Sequence, residues 1–192
     1  MKNVIILGAS GNIARHVIDI LVKRDEINLT LFLRDGRRLR NKDVSRCRII
    51  EGDVVNYSQL KEAVRGQAIV YANLSGELEA MARDIVKAMD ENGAKKLIFI
   101  SSIGIYDIPL RAVLKPYRKA ADVIEGSDLE YTILRPTWFT DVNEVDYETT
   151  RKGEPEKGSV ISQRSLATLI SRIIEFPDNY VRENLGVNKP QS

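Results

Sequence analysis

VIILGASGNIA, residues Val4 to Ala14, decides how the rest of the chain is read. Four apolar residues run into a turn whose small positions, Gly8, Gly11 and Ala14, are spaced GxxGxxA, and a helical pattern starts directly behind them. The reading is a buried strand, a tight loop and a helix. Such a loop offers backbone N–H groups at a helix N-terminus, where peptide dipoles favour a diphosphate. A side chain at Gly11 would obstruct that group, and Ala14 lets the helix lie close on the strand. The spacing departs from the commoner GxGxxG, so an ordinary strand-to-helix turn stays open until the rest of the chain is read.

Outward from that stretch, Ile13, Val17, Ile20 and Leu21 fall on one helical face, with Arg15, Asp19, Lys23 and Arg24 elsewhere. Short apolar runs then recur at Leu29–Leu33, Arg48–Ile50, Ala68–Ala72, Leu97–Ile100 and Tyr131–Leu134. Helical stretches lie between them, notably Leu78–Glu91, with Gly93 as its stop, and Lys115–Glu125. Strands apolar throughout and alternating with helices predict a parallel sheet covered on both faces, a doubly wound α/β fold. Its ligand crevice lies at the C-terminal strand ends. Past Pro136 the pattern lapses. Thr137 to Gly158 carries Trp138, Phe139 and Tyr147 among acidic residues with no clear period, and is read as a loop or lid. Ser162 caps a last helix, Gln163–Phe176, with Leu166, Leu169, Ile170, Ile173 and Ile174 inward, and Asn184–Asn188 adds a final strand.

The chain of 192 residues is expected to form one domain, 1–192, with a lid or substrate-side segment at about 137–160. Lys and Arg number 29 against 27 Asp and Glu, which supplies no general attraction for nucleic acid. Cys47 and His16 are the only residues of their types, so neither a disulfide nor a thiolate zinc site is expected, and His16 reads as a helix-surface residue. The start has too short an apolar run for a signal peptide, and no stretch is long enough to span a membrane. The expectation is a cytoplasmic protein.

The second apolar run ends in Arg34, where an acidic residue would accept hydrogen bonds from the adenosine ribose of NAD. Arg37 and Arg38 follow, so guanidinium groups are placed for the 2′-phosphate of NADP, with Asp35 adjacent as a counter-signal. At roughly 1.5–3 kcal/mol per charge-assisted bond, one arginine favours NADP by about one to two orders of magnitude. Arg34 to Arg48 holds seven basic residues, but no aromatic is interleaved to stack bases, which speaks against nucleic acid. After the third run, Gly52–Val54 reads GDV: Asp53 is placed to accept from the adenine amino group and Val54 to pack the ring.

GASGNIA, Arg34, GDV, Ala72–Asn73 after the fourth run, Ser101–Ser102 after the fifth and LRP at Leu134–Pro136 stand in one order. Together they resemble the atypical short-chain dehydrogenase/reductases of the NmrA-like NAD(P)H-binding group, and ISQRSLA near the end is similar to its flavin and biliverdin reductases. The resemblance implies a Rossmann-type fold with NADP(H) across the strand ends. It implies that Gly8, Ser10, Gly11, Asn12 and Ile13 hold the pyrophosphate, Arg34 and Arg38 the 2′-phosphate, and Asp53 and Val54 the adenine. Ala72, Asn73 and Leu74 then line the ribose and nicotinamide side, with Ser101, Ser102, Pro136 and Thr137.

Typical members carry a YxxxK pair for proton transfer. Here the only YxxxK, Tyr57 to Lys61, precedes the fourth strand on the adenine side and reads as a coincidence. Where the pair belongs, Val113 takes the tyrosine position and Tyr117 roughly the lysine position. An unassisted tyrosine is a poor base at neutral pH but still donates a hydrogen bond. A flavin, quinone or conjugated tetrapyrrole delocalises an incoming charge and takes its proton from water, so reduction of a planar acceptor suits such a site. Ser102 and Tyr117 are the candidate catalytic residues, Tyr106 a further donor, and Trp138 and Phe139 walls of an acceptor pocket or plugs of the core. The alternative is a non-catalytic NADP(H) sensor acting through a regulatory protein partner. A sugar-nucleotide epimerase or dehydratase is disfavoured by the short segment after Pro136.

Overall fold

The structure, a computed structural model, describes residues 1–191. Ten strands form: β1 (Lys2–Leu7), β2 (Ile27–Leu33), β3 (Arg48–Glu51), β4 (Ile69–Ala72), β5 (Lys96–Ile100), β6 (Glu130–Pro136), β7 (Trp138–Thr140), β8 (Glu148–Arg151), β9 (Val160–Ser162) and β10 (Glu183–Asn188). Eight of them make one sheet in the order β3-β2-β1-β4-β5-β6-β10-β8, parallel except for β8, which runs antiparallel on β10. The order reverses between β1 and β4, so a crevice opens above the C-terminal end of β1.

Five helices cover the sheet: α1 (Asn12–Leu21), α2 (Tyr57–Val64), α3 (Leu78–Asn92), α4 (Lys115–Glu125) and α5 (Gln163–Glu175). Because side chains alternate along a strand, β1 divides its apolar run between two cores. Val4 and Ile6 pack with α1 and α5, whereas Ile5 and Leu7 pack with α2, α3 and α4. Residues 98 and 100 against 97 and 99 of β5 divide in the same way. This is the doubly wound fold expected from apolar strands alternating with helices.

Local chemistry sets the element ends. Ser162 accepts from the Ser165 amide and starts α5, and Gly93 stops α3 at φ 70°, a left-handed conformation open to glycine. All five expected residues of α5 are buried. On α1, Ile18 is buried and Ile20 only partly so, a rotation of the inner face by a fraction of a turn.

Two expectations need correction. β3 is not buried throughout: it forms a sheet edge, with Arg48 and Ile49 exposed. Residues 137–158 are not simply loop. Trp138–Thr140 pairs in parallel with Val160–Ser162, and Glu148–Arg151 joins the main sheet beside β10. Strands this short acquire their backbone bonds from distant partners and leave too few residues for a period of two to register.

Candidate functional site

The loop between β1 and α1 is built around the end of β4. Gly8 takes φ 81°, and a Cβ there would stand 2.2 Å from the Asn73 carbonyl oxygen. At Gly11 a Cβ would stand 2.2 Å from Asn73 Nδ2. Asn73, whose amide donates to Leu7 O at 3.0 Å, is thus a reason for both glycines within the protein itself. The amides of Gly8 and Ala9 donate to Phe32 O, and that of Gly11 to Gly8 O. These residues shape the loop, while the amides of Asn12, Ile13 and Ala14 lie ahead of the helix's first backbone bond, from Arg15 N to Gly11 O (3.0 Å). Ser10 sits between the two glycines, and Ala14 is fully buried against the sheet.

Beyond β2 the chain enters a 3-10 turn, Gly36–Leu39, capped by Asp35. Asp35 also binds the Arg37 guanidinium through both carboxylate oxygens, at 2.9 and 3.0 Å. Those bonds hold its carboxyl below the usual range. The adjacent acid therefore neutralises Arg37, and Arg34 and Arg38 are exposed without an ion-pair partner among the described residues. Arg15 reaches the same corner from α1, donating from Nη2 to Arg38 O at 2.9 Å. Asp53 and Val54 follow β3. Gly52 is required there because a Cβ would meet the Phe32 ring at 2.8 Å; Asp53 accepts from the Val55 amide (3.2 Å), and Val54 is buried.

On the other side of the crevice, at the ends of β5 and β6, lies a cavity of about 550 Å³. Its walls include Ser101, Ser102, Tyr117, Pro136 and Thr137, together with Val113, Leu114, Trp138 and Phe139. Thr137 is pinned by its amide to Val187 O (3.1 Å). Ser102 Oγ donates to Ile103 O at 3.1 Å. Ser101 is 4% exposed, and its Oγ has no hydrogen-bond partner among the described residues. Trp138 is 73% exposed, so it walls the mouth and does not plug the core. Ala72 is buried at the end of β4 and Leu74 half-buried just past it.

Tyr106 is not at the cavity. Its hydroxyl accepts from Asn184 Nδ2 (2.7 Å), and its ring lies against the cations of Arg118 and Lys152, each at 4.7 Å. Burial pushes its phenol above the ordinary value. The expectation of a donor there is corrected: the ring is faced by the cations of Arg118, Arg135 and Lys152. Tyr57 and Lys61 both bind Glu91, at 2.7 and 2.8 Å, and partial desolvation with the Glu91 bond pushes the Tyr57 phenol up to about 12. That is opposite to what a catalytic tyrosine needs. His16 is exposed on α1.

The sequence reading missed Glu156, Asp107 and Arg111 on the cavity wall. Glu156 receives Arg135 Nε at 2.9 Å and the Gly104 amide at 2.9 Å. Arg135 is 1% exposed, stacks on Tyr106 at 5.2 Å and donates to Asn184 Oδ1 at 2.6 Å. The arginine of LRP thus anchors the 137–160 segment to the sheet. Among the described residues, no group of three His, Cys, Asp or Glu side chains is placed to hold a metal, and no helix is long and apolar enough to cross a membrane.

Comparison with known proteins agrees with this layout. The family described as NAD(P)H-binding matches residues 8–177. A Rossmann-fold NAD(P)-binding family protein from Shigella flexneri is 48% identical, with a TM-score of 0.93, covering 100% of this chain and 95% of that one. A short-chain dehydrogenase/reductase from Veillonella parvula, solved in complex with NADP, is 27% identical with a TM-score of 0.90, over 99% and 95%. ChuY, an anaerobilin reductase from Escherichia coli O157:H7, shares the fold at 15% identity and a TM-score of 0.86, over 100% and 98%. Protein YmjC of Escherichia coli K12 is 54% identical over 39 residues, 20% of this chain, which spans 65% of that relative's length.

Proposed function

The chain belongs to the NAD(P)H-binding family, and we propose that it is an NADP(H)-dependent reductase of a flavin, quinone or similar planar acceptor. One observation supports this reading: a corner of guanidinium groups without carboxylate partners among the described residues and a 550 Å³ cavity flank the same crevice, and the cavity wall carries Val113, the residue that the family resemblance aligns with the usual tyrosine. The residues fit the cofactor. Ser101 Oγ is a buried polar atom awaiting a partner on the nicotinamide side, and the amides of Asn12 and Ile13 open toward the diphosphate.

When bound, NADPH supplies a hydride. The chain's own residues then position the two partners and exclude water. Arg34 and Arg38 hold the 2′-phosphate, Asp53 and Val54 the adenine, and Asn73 and Leu74 the ribose side. Pro136 and Thr137 back the nicotinamide. Trp138, Phe139 and Leu114 offer flat apolar surface to a ring system. Ser102 and Tyr117 donate hydrogen bonds to the acceptor's heteroatoms as negative charge builds there. The final proton comes from water. Residues 137–160 form the substrate-side wall of a single domain, held by the Arg135–Glu156 pair.

The test is NADPH oxidation by purified protein against a panel of flavins, quinones and aldehydes. Turnover with planar acceptors, weakened in Tyr117→Phe and Ser102→Ala, is the expected result. Rates no higher than the uncatalysed reaction across the panel would overturn the reductase reading. They would leave the NADP(H) sensor, which the absent base also suits, with NADP-dependent capture of a protein partner as its own test.

A further inference from the structure

We propose that Arg15 is a third ligand of the cofactor's 2′-phosphate and helps set the preference for NADP over NAD. This rests on the NADP reading above and adds a residue that the glycine pattern and the end of β2 do not indicate. Arg15 lies in the first turn of α1, and one of its terminal nitrogens, Nη2, is spent on Arg38 O at 2.9 Å. Its Nε is buried and has no hydrogen-bond partner among the described residues. A guanidinium stays charged at every accessible pH, so a buried N–H of this group without an acceptor is unfavourable unless a ligand supplies one.

The surroundings point to a multiply charged anion. Each nearby carboxylate is engaged elsewhere: Asp35 by Arg37, Asp19 by Lys42, and Glu51 by the Gly36 amide. Arg15 is bonded to the turn that carries Arg38, Arg34 lies at the end of β2 just before that turn, and none of the three has a carboxylate partner among the described residues. A phosphate monoester brings negative charge and three acceptor oxygens to these cations. A ribose hydroxyl brings neither. The bond to Arg38 O holds the Arg15 fork beside the turn that carries Arg38.

The experiment is titration calorimetry of the full chain with NADP, NAD, 2′,5′-ADP and 5′-AMP. Arg15→Gln is expected to weaken NADP and 2′,5′-ADP by about tenfold and to leave NAD and 5′-AMP within about twofold. Arg15→Lys keeps the charge and a donor for Arg38 O but loses the fork, and is expected to give an intermediate NADP-to-NAD ratio. That variant decides the matter if Arg15→Gln does not fold. A parental ratio in Arg15→Lys and Arg15→Gln, or an equal loss for NADP and NAD, overturns the role of Arg15. If Arg34→Ala collapses the ratio while the Arg15 variants keep it, the NADP reading stands and only this inference falls. If the unmodified protein binds NAD as tightly as NADP, both fall.

Discussion

Gly11→Ala is the most revealing perturbation of the loop, because the structure assigns the glycine a reason that needs no ligand. The added Cβ would stand 2.2 Å from Asn73 Nδ2 and 3.4 Å from Gly8 O. Either the Asn73 amide swings aside or the end of β4 shifts. Asn73 Nδ2 is the free end of a half-buried side chain that no hydrogen bond holds, so it can turn away, and the expected cost is about 0.5–1.5 kcal/mol, which for a chain of this size lowers Tm by roughly 1–5 °C. Asn73→Ala alone should be nearly neutral, within about 0.5 kcal/mol, since no hydrogen bond of its side chain contributes to the fold. The double variant should then recover most of the loss from Gly11→Ala, giving a coupling energy of about 0.5–1 kcal/mol in urea unfolding of the ligand-free protein. Strict additivity of the two substitutions would refute the claim that Asn73 is what Gly11 makes room for.

Two further predictions concern groups outside the loop. Glu156→Ala removes the carboxylate from the buried Arg135 and the acceptor from the Gly104 amide; a loss of about 3 kcal/mol is expected in urea unfolding, and a change under about 0.5 kcal/mol would show that the pair does not anchor the 137–160 segment. Lys96 is 3% exposed, donates to Thr132 Oγ1 and Tyr180 O, and is pushed down to about 8 by burial. Its folded value lies below its unfolded value of 10.5, so between about pH 8 and 10.5 the unfolded chain binds more protons and stability rises with pH. The unfolding free energy of the parent relative to Lys96→Met should climb across that window, and a flat difference would contradict the buried charge.

The features legible in the sequence were those with a local cause. Val4 to Leu7 had to be covered on both faces because all four residues are apolar, and Gly93 and Ser162 carry their cap chemistry in their own side chains or lack of one. The order of Gly8, Arg34, Asp53, Asn73 and Ser101 placed the crevice, because each residue follows a strand of one parallel sheet. What could not be read depends on partners distant in sequence. β8 exists because β10 supplies its bonds, and Glu156 reaches Arg135 and Gly104 through segments 21 and 52 residues away. Tyr106 reads as available in the sequence, but Arg118, Arg135 and Lys152, none of them a neighbour along the chain, lie around its ring. Asp35 reads as a counter-signal to a phosphate site, but both its carboxylate oxygens are bound by Arg37.

The central claim is that the crevice above β1 selects NADP(H), and thermal unfolding with NADP, NADPH and NAD tests it most directly. At 100 times the dissociation constant a bound ligand adds about 2.7 kcal/mol, roughly 5–10 °C for a chain of this size. NADP and NADPH should give that shift at concentrations about ten to a hundred times lower than NAD, and Arg34→Ala should remove most of the difference. Equal stabilisation by NAD and NADP, or none by either, would contradict the account.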